Sequence, residues 1–185
     1  NKTMKQFIFM AVMTLLTVCA NAQVTVSEPE FVGQVKMLTS DSTGILLEKE
    51  KASLKTKSSH FGMLPIPGAS LLDKTKTCMT IQGASAKNTV GVGTVRFLMR
   101  VERTDIDPST FLRVIKFDVK KKTRESKVSE VGLFQGFSLD LNSSSAYEVQ
   151  KYGDSSFLIT LKNVQPGQYG ISTTMWMDAS TFAVN

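Results

Sequence analysis

Short segments rich in Val, Ile, Phe and Thr, separated by Gly, Asn, Asp, Ser and Pro, are the feature that most limits what this chain can fold into. After residue 23, no segment keeps apolar residues at three- and four-residue spacing over three helical turns. β-Branched and aromatic residues favour strands, and the separating residues favour turns. The sequence therefore predicts an all-β fold.

The run 111–120 shows how the two faces of such a strand are sorted. From residue 115 onward, apolar side chains occupy odd positions and charged side chains even ones, so one face turns to a core and the other to water. The inward set is Phe111, Ile115, Phe117 and Val119, and the outward set is Lys116, Asp118 and Lys120. Residues 155–161 are apolar on both faces, which is typical of a central strand.

About nine such runs, at a spacing of roughly 8–12 residues, are typical of an antiparallel sandwich or barrel. Of the two, we favour an antiparallel immunoglobulin-like β-sandwich of roughly eight to nine strands. No linker, composition break or internal repeat divides residues 23–185, which indicates one domain. The predicted strands cover residues 31–38, 45–55, 78–82, 94–102, 111–120, 137–141, 146–150, 157–161, 168–174 and 181–184.

The first 22 residues have the pattern of a signal peptide. Lys2 and Lys5 precede an uncharged apolar run at 7–18, and Ala20-Asn21-Ala22 supplies the small residues that a leader peptidase requires. We expect cleavage between Ala22 and Gln23 and export to the periplasm or the extracellular space.

Cleavage would change the balance of charge and thiols. It removes two lysines and no acid, so 20 basic and 16 acidic residues would leave a net charge of +4. Cys19 would leave with the leader, and Cys78 alone cannot form an internal disulfide. No later run reaches the ~20 apolar residues of a spanning helix, so no transmembrane segment is expected in the mature chain.

Residues 161–171 resemble the closing hairpin of extracellular immunoglobulin-like and transthyretin-like sandwiches. An apolar strand is followed by Pro166-Gly167, a pair that favours a type II turn, and then by Tyr169. The resemblance implies that the Tyr169 ring packs in the core while its hydroxyl bonds back to the backbone near the turn.

A wider resemblance joins the leader, the segment 28–33, the Asp107-Pro108 corner and this hairpin. Together they look like a group of secreted proteins of gut anaerobes for which no activity is established. The resemblance implies that Asp41-Ser42-Thr43 is a site of periplasmic O-glycosylation at Ser42, and a plain turn is the alternative.

Residues of catalytic and metal-binding type are few. His60 is the only histidine, and the sequence contains no Gly-x-Ser-x-Gly motif whose serine it could activate as a base. Cys78 is expected to be an inert core thiol. Asp105 and Asp107 supply too few oxygens for calcium without further ligands. We therefore expect no catalytic residue, no metal and no cofactor, although paired carboxylates distant in sequence remain open.

Lys120, Lys121, Lys122 and Arg124 form the densest charge run, between two predicted strands. We interpret them as a solvated hairpin tip and as candidate contacts to an anionic partner such as an acidic glycan. The run has no interleaved aromatic residues, so nucleic acid is not expected as a partner.

The sequence thus favours an exported, non-catalytic module for binding, adhesion or assembly at the cell envelope, with a protein or glycan partner that it does not identify. One alternative is a carbohydrate-active enzyme that uses two carboxylates. Another is a subunit of a larger envelope assembly, in which Met175, Trp176 and Met177 would form an apolar contact patch.

Overall fold

The computed structural model describes residues 24–59, 74–132, 136–139, 146–173 and 178–185. The predicted leader with its cleavage site at Ala22 and Gln23, His60, and the patch at Met175, Trp176 and Met177 lie outside these residues. Within the described ranges the chain forms thirteen β-strands, no α-helix and one short 3-10 turn at Pro108–Thr110. The strands are β1 Val35–Leu38, β2 Gly44–Leu46, β3 Lys49–Ser58, β4 Lys74–Gln82, β5 Thr89–Val90, β6 Gly93–Arg100, β7 Arg113–Val119, β8 Thr123–Gly132, β9 Gly136–Leu139, β10 Tyr147–Tyr152, β11 Ser156–Val164, β12 Gly167–Ser172 and β13 Asp178–Val184.

Five strands form the first sheet, in the order β10-β11-β6-β1-β2, and every pair is antiparallel. β11 lies between β10 and β6, so the run that is apolar on both faces is an interior strand, as predicted. β1 begins later than the predicted strand 31–38, because Gly33 adopts a φ of 81°, which breaks an extended chain.

The second sheet closes on itself. β12, β7, β8, β4, β3 and β13 follow one another, and β13 pairs back with β12, which makes a six-stranded barrel. β5 adds to β13 in parallel, and β9 adds to β8. The all-β fold with antiparallel sheets is confirmed, whereas the described strands outnumber the eight to nine predicted and six of them form a closed ring.

The interior of the barrel is narrow. Met79, Ile81, Ile115, Phe117 and Ala179 belong to one buried cluster inside it. The interior has room for these side chains because Gly170, which also faces the interior, has no side chain. A Cβ at Gly170 would lie 2.9 Å from the Phe117 ring and 3.0 Å from the Ala179 Cβ.

The main core lies between the five-stranded sheet and the outer side of β7, β12 and β13. Apolar residues of both layers form one cluster, in which the Phe97 ring of β6 lies 4.8 Å from the Phe182 ring of β13. Tyr169 of β12 stacks on Phe182 at 5.4 Å. Burial of these aromatic rings attaches the barrel to the sheet.

Tyr169 makes the two contacts that the resemblance implied. It is buried, and its hydroxyl donates a hydrogen bond to the Gln165 carbonyl oxygen at 2.9 Å. The turn itself differs from the prediction. β11 and β12 belong to different sheets, so the chain turns a corner rather than a hairpin. Gly167 has a φ of 156°, so it does not take the type II conformation.

Residues 24–30, the N-terminal strap, cover the other face of the five-stranded sheet. Val24 and Val26 pack on Leu98 in a third buried cluster. The Tyr152 hydroxyl donates to the carbonyl oxygens of Val24 and Val26, at 3.2 and 2.6 Å. The carboxylate of Glu28 then accepts several hydrogen bonds from residues 154–156.

Candidate functional site: a lysine groove on the barrel

The outer face of β3 and β4 is rich in lysine because both strands alternate. Residues directly opposite each other in an antiparallel pair point to the same side of the sheet. Lys57 lies opposite Lys76, and Lys55 lies opposite Cys78. Since Met79 of β4 points into the barrel, the even-numbered residues of β4 and their partners on β3 point outward.

The same face continues across β8 and β7. Lys127 lies opposite Cys78, and Glu125 lies between Thr80 and Asp118. These strands enclose a groove of about 580 Å³, which we call the lysine groove. It is lined by Lys57, Lys76, Cys78, Lys116, Asp118, Lys120, Glu125, Ser126 and Lys127.

Positive charge is concentrated on this face. Around the groove, seven lysines and three carboxylates point outward, which leaves a net charge of +4. The whole chain, with 22 basic and 16 acidic residues, has a formal net charge of +6. The lysines are Lys55, Lys57, Lys74, Lys76, Lys116, Lys120 and Lys127, and the carboxylates are those of Asp118, Glu125 and Glu130.

The carboxylates bind some of these lysines. The Lys57 ammonium donates to Glu125 Oε2 at 2.6 Å, and this hydrogen bond raises the pKa of Lys57. Lys127 donates to Glu130 Oε2 at 3.3 Å, and this bond, with the nearby charge of Lys76, lowers the pKa of Glu130. Lys57 and Glu130 are therefore charged at neutral pH. Even with these ion pairs, the lysines of the groove outnumber its carboxylates.

The arrangement contains a repulsive pair as well. Like charges placed directly opposite on neighbouring strands destabilise a sheet, and Lys57 and Lys76 are placed in this way. Lys116 lies over the Tyr169 ring, with its ammonium 5.6 Å from the ring centre. An anion in the groove would lower the repulsion among these lysines.

The structure places the four residues of the predicted basic run in two different environments, the surface and the barrel interior. Lys120, Lys121 and Lys122 are exposed at the tip between β7 and β8, and Lys120 lines the groove. Arg124 was wrongly included, because its side chain is fully buried. It points into the barrel, where its guanidinium donates to Glu50 at 2.7 and 2.8 Å and to the carbonyl oxygens of Gln82 and Gly83.

Sequence reasoning missed the lysines that β3, β4, β7 and β8 bring together. A signal was present, since residues 49, 51, 55 and 57 are all lysine and all on one face of an alternating strand. Cys78 was also misplaced. It is half-buried on the outer face and lines the groove, outside the core clusters.

Ser42 is exposed in the turn between β1 and β2, and its backbone N–H donates to Ser40 Oγ at 3.2 Å. The neighbouring Asp41 carboxylate accepts from Arg96 at 2.6 Å. The hydroxyl of Ser42 is thus on the surface, where a sugar could be attached, and O-glycosylation stays a prediction.

A second cavity, of about 550 Å³, contains the Asp105–Asp107 corner together with Tyr147 and Phe157. A bidentate contact from Arg103 lowers the pKa of Asp105, and the Ser109 backbone N–H lowers that of Asp107. Neither group is suited to be the protonated acid of glycoside hydrolysis, whose pKa must be raised. Among the described residues, no three side chains of the metal-ligand types cluster.

Comparison of the chain with protein-family models, with curated proteins and with solved structures finds no match. In the part of the chain that the structure describes, no helix has the length and apolar character needed to cross a bilayer.

Proposed function

We propose that this protein is an exported, non-catalytic binding module that acts at the cell envelope, in the periplasm or outside the cell. The observation that carries the proposal is the lysine groove, which concentrates the charge of the chain in one concave surface. Charge complementarity of this kind selects a partner of opposite sign and speeds the encounter.

The chemistry of the groove favours binding over catalysis. Asp118 and Glu125 face each other on neighbouring strands, an arrangement that favours the alternative of a carbohydrate-active enzyme. However, Glu125 accepts a 2.6 Å hydrogen bond from the Lys57 ammonium. The acceptor oxygen of Glu125 is thus occupied by a cation of the protein itself rather than open to a sugar, which favours binding over catalysis.

Two further observations support parts of the proposal. The Tyr169 corner supports a relationship to immunoglobulin-like sandwiches, which commonly present binding surfaces outside the cell. The pattern of the first 22 residues supports export. We expect the protein recovered from a bacterial periplasm or medium to begin at Gln23, and mass spectrometry of the intact protein tests this. An uncleaved chain in the cytoplasm would contradict export.

Binding and catalysis are separated by one experiment on isolated envelope polysaccharide. We expect the protein to sediment with the polysaccharide without releasing reducing ends. Release of reducing ends that is lost in Asp118→Asn or Glu125→Gln would instead establish the enzyme. A third class, a subunit of a larger assembly, predicts an oligomer at micromolar concentration in light scattering, whereas the binding module predicts a monomer.

A further inference from the structure

We infer that the ligand of the lysine groove is a linear anionic polysaccharide, a chain that bears sulfate, phosphate or carboxylate groups at intervals. The inference rests on the proposed function and adds to it the site and the chemical class of the partner.

The spacing of the lysines fits a chain of repeated charges. Side chains two residues apart on one strand are separated by about 6.6–6.8 Å, and neighbouring strands by about 4.8 Å. Across the four strands the groove therefore spans about 14 Å, with lysines on both sides of it. Such a row binds several charges of one polymer at once, whereas a single small anion would use one or two lysines.

The lining of the groove argues against a membrane as the ligand. Proteins that lie on a bilayer bury apolar side chains among the lipids beside their basic residues. The groove lining contains no large apolar side chain, and its surface is concave. Nucleic acid is also disfavoured, because single strands bind through stacking on exposed aromatic rings. Tyr169, the ring beneath Lys116, is buried.

Binding requires little rearrangement of the groove. The Lys57–Glu125 ion pair is exposed on its lysine side, with 54% of the Lys57 side chain accessible. Only 13% of the Glu125 side chain is accessible, so Glu125 keeps Lys57 as its partner, and Lys57 offers its remaining ammonium hydrogens to a sulfate or phosphate. Lys116 and Lys120 line the groove without an ion-pair partner among the described residues.

The test compares the affinity of two charge-matched variants for dextran sulfate, with neutral dextran of equal length as the control ligand. The groove variant combines Lys76→Gln, Lys116→Gln and Lys120→Gln. The control variant combines Lys87→Gln, Lys151→Gln and Lys162→Gln, which are exposed positions outside the groove. Both lose three positive charges, and thermal unfolding checks that both remain folded.

We expect the groove variant to bind dextran sulfate roughly tenfold more weakly than the wild type, the control variant to bind within about twofold of it, and neutral dextran not to bind. Equal weakening of both variants, or no weakening of either, would overturn the groove as the site while leaving an anion-binding module in place. Tighter binding to vesicles of anionic phospholipid or to oligothymidylate would overturn polysaccharide as the ligand. Absence of binding to dextran sulfate, to vesicles and to the isolated envelope would contradict the proposed function itself.

Discussion

Gly170 and the residues around it show how tightly the barrel is packed at the scale of single side chains. The interior is formed partly by small residues, and at Gly170 two neighbours already occupy the space of a Cβ. Closely packed interiors cannot absorb an added methyl group without shifting side chains or backbone.

We expect Gly170→Ala to lower the free energy of unfolding by about 1–3 kcal/mol, because the new methyl would press on Phe117 and Ala179. Urea unfolding measures the change. Gly91→Ala is the matched control, since no atom lies within 4 Å of a Cβ at that position, and we expect its effect to stay within about 0.5 kcal/mol. Equal stability of the two variants would show that the barrel interior around Gly170 has room for a methyl group.

Arg124 shows that a basic residue in a basic run can be structural. Its guanidinium is fully buried and binds Glu50, which also accepts a hydrogen bond from the Thr181 hydroxyl. Removing the negative partner of a buried cation leaves an uncompensated charge, which is strongly destabilising.

We therefore expect Glu50→Gln to lower the free energy of unfolding by about 2–4 kcal/mol, a value reduced for the partial exposure of Glu50. Glu148→Gln, which breaks the exposed pair with Lys162, should cost less than about 1 kcal/mol. Denaturant unfolding measures the loss of stability in both variants. A larger loss in Glu148→Gln than in Glu50→Gln would contradict a buried Arg124–Glu50 pair.

At the scale of strands, the sequence predicted those that pack on the main core better than barrel strand β8, which contributes no residue to that core. β7 and β11 were predicted within a few residues because their apolar positions alternate or run continuously. β8 was missed because its inward positions include Arg124 and Ser126 rather than a row of apolar residues. A narrow barrel closes around small and polar residues, which weakens the apolar pattern in its strands.

The N-terminal strap depends on one carboxylate. Glu28 accepts from the Ser156 hydroxyl at 2.5 Å and from the backbone N–H groups of Asp154 and Ser155 at 3.0 and 3.1 Å. The Ser156 bond is the main reason that the pKa of Glu28 lies below its ordinary value of 4.5. A carboxyl group with a lowered folded-state pKa stabilises the fold above its ordinary pKa, and this contribution is lost as the pH falls through the folded value.

We expect Glu28→Gln to lower the free energy of unfolding by about 1–2 kcal/mol at neutral pH, and the difference from wild type to shrink as the pH falls below about 4.5. Urea unfolding at a series of pH values measures both effects. Glu30→Gln, at an exposed neighbouring position, should leave stability unchanged across the series. If the stability difference between Glu28→Gln and wild type stays constant as the pH falls below about 4.5, the charge of Glu28 does not hold the strap.

At the scale of the whole molecule, the distribution of charge matters more than its sum. The sequence predicted a basic contact at Lys120, Lys121 and Lys122, since those residues are adjacent in the chain. It could not predict that Lys120 joins Lys57 and Lys76, because that proximity depends on the pairing of β3 with β4, β4 with β8 and β8 with β7. Closure of the barrel therefore turns scattered lysines into one groove.

The central claim is that an anionic polysaccharide occupies this groove, and Cys78 on its lining reports occupancy directly. In a Cys19→Ser background Cys78 is the only thiol, so the rate of its reaction with N-ethylmaleimide can be measured without interference. We predict that dextran sulfate at a concentration that saturates binding slows this reaction severalfold, while neutral dextran leaves the rate unchanged. An unchanged rate in saturating dextran sulfate would contradict the account, because the bound polymer would then lie elsewhere on the protein.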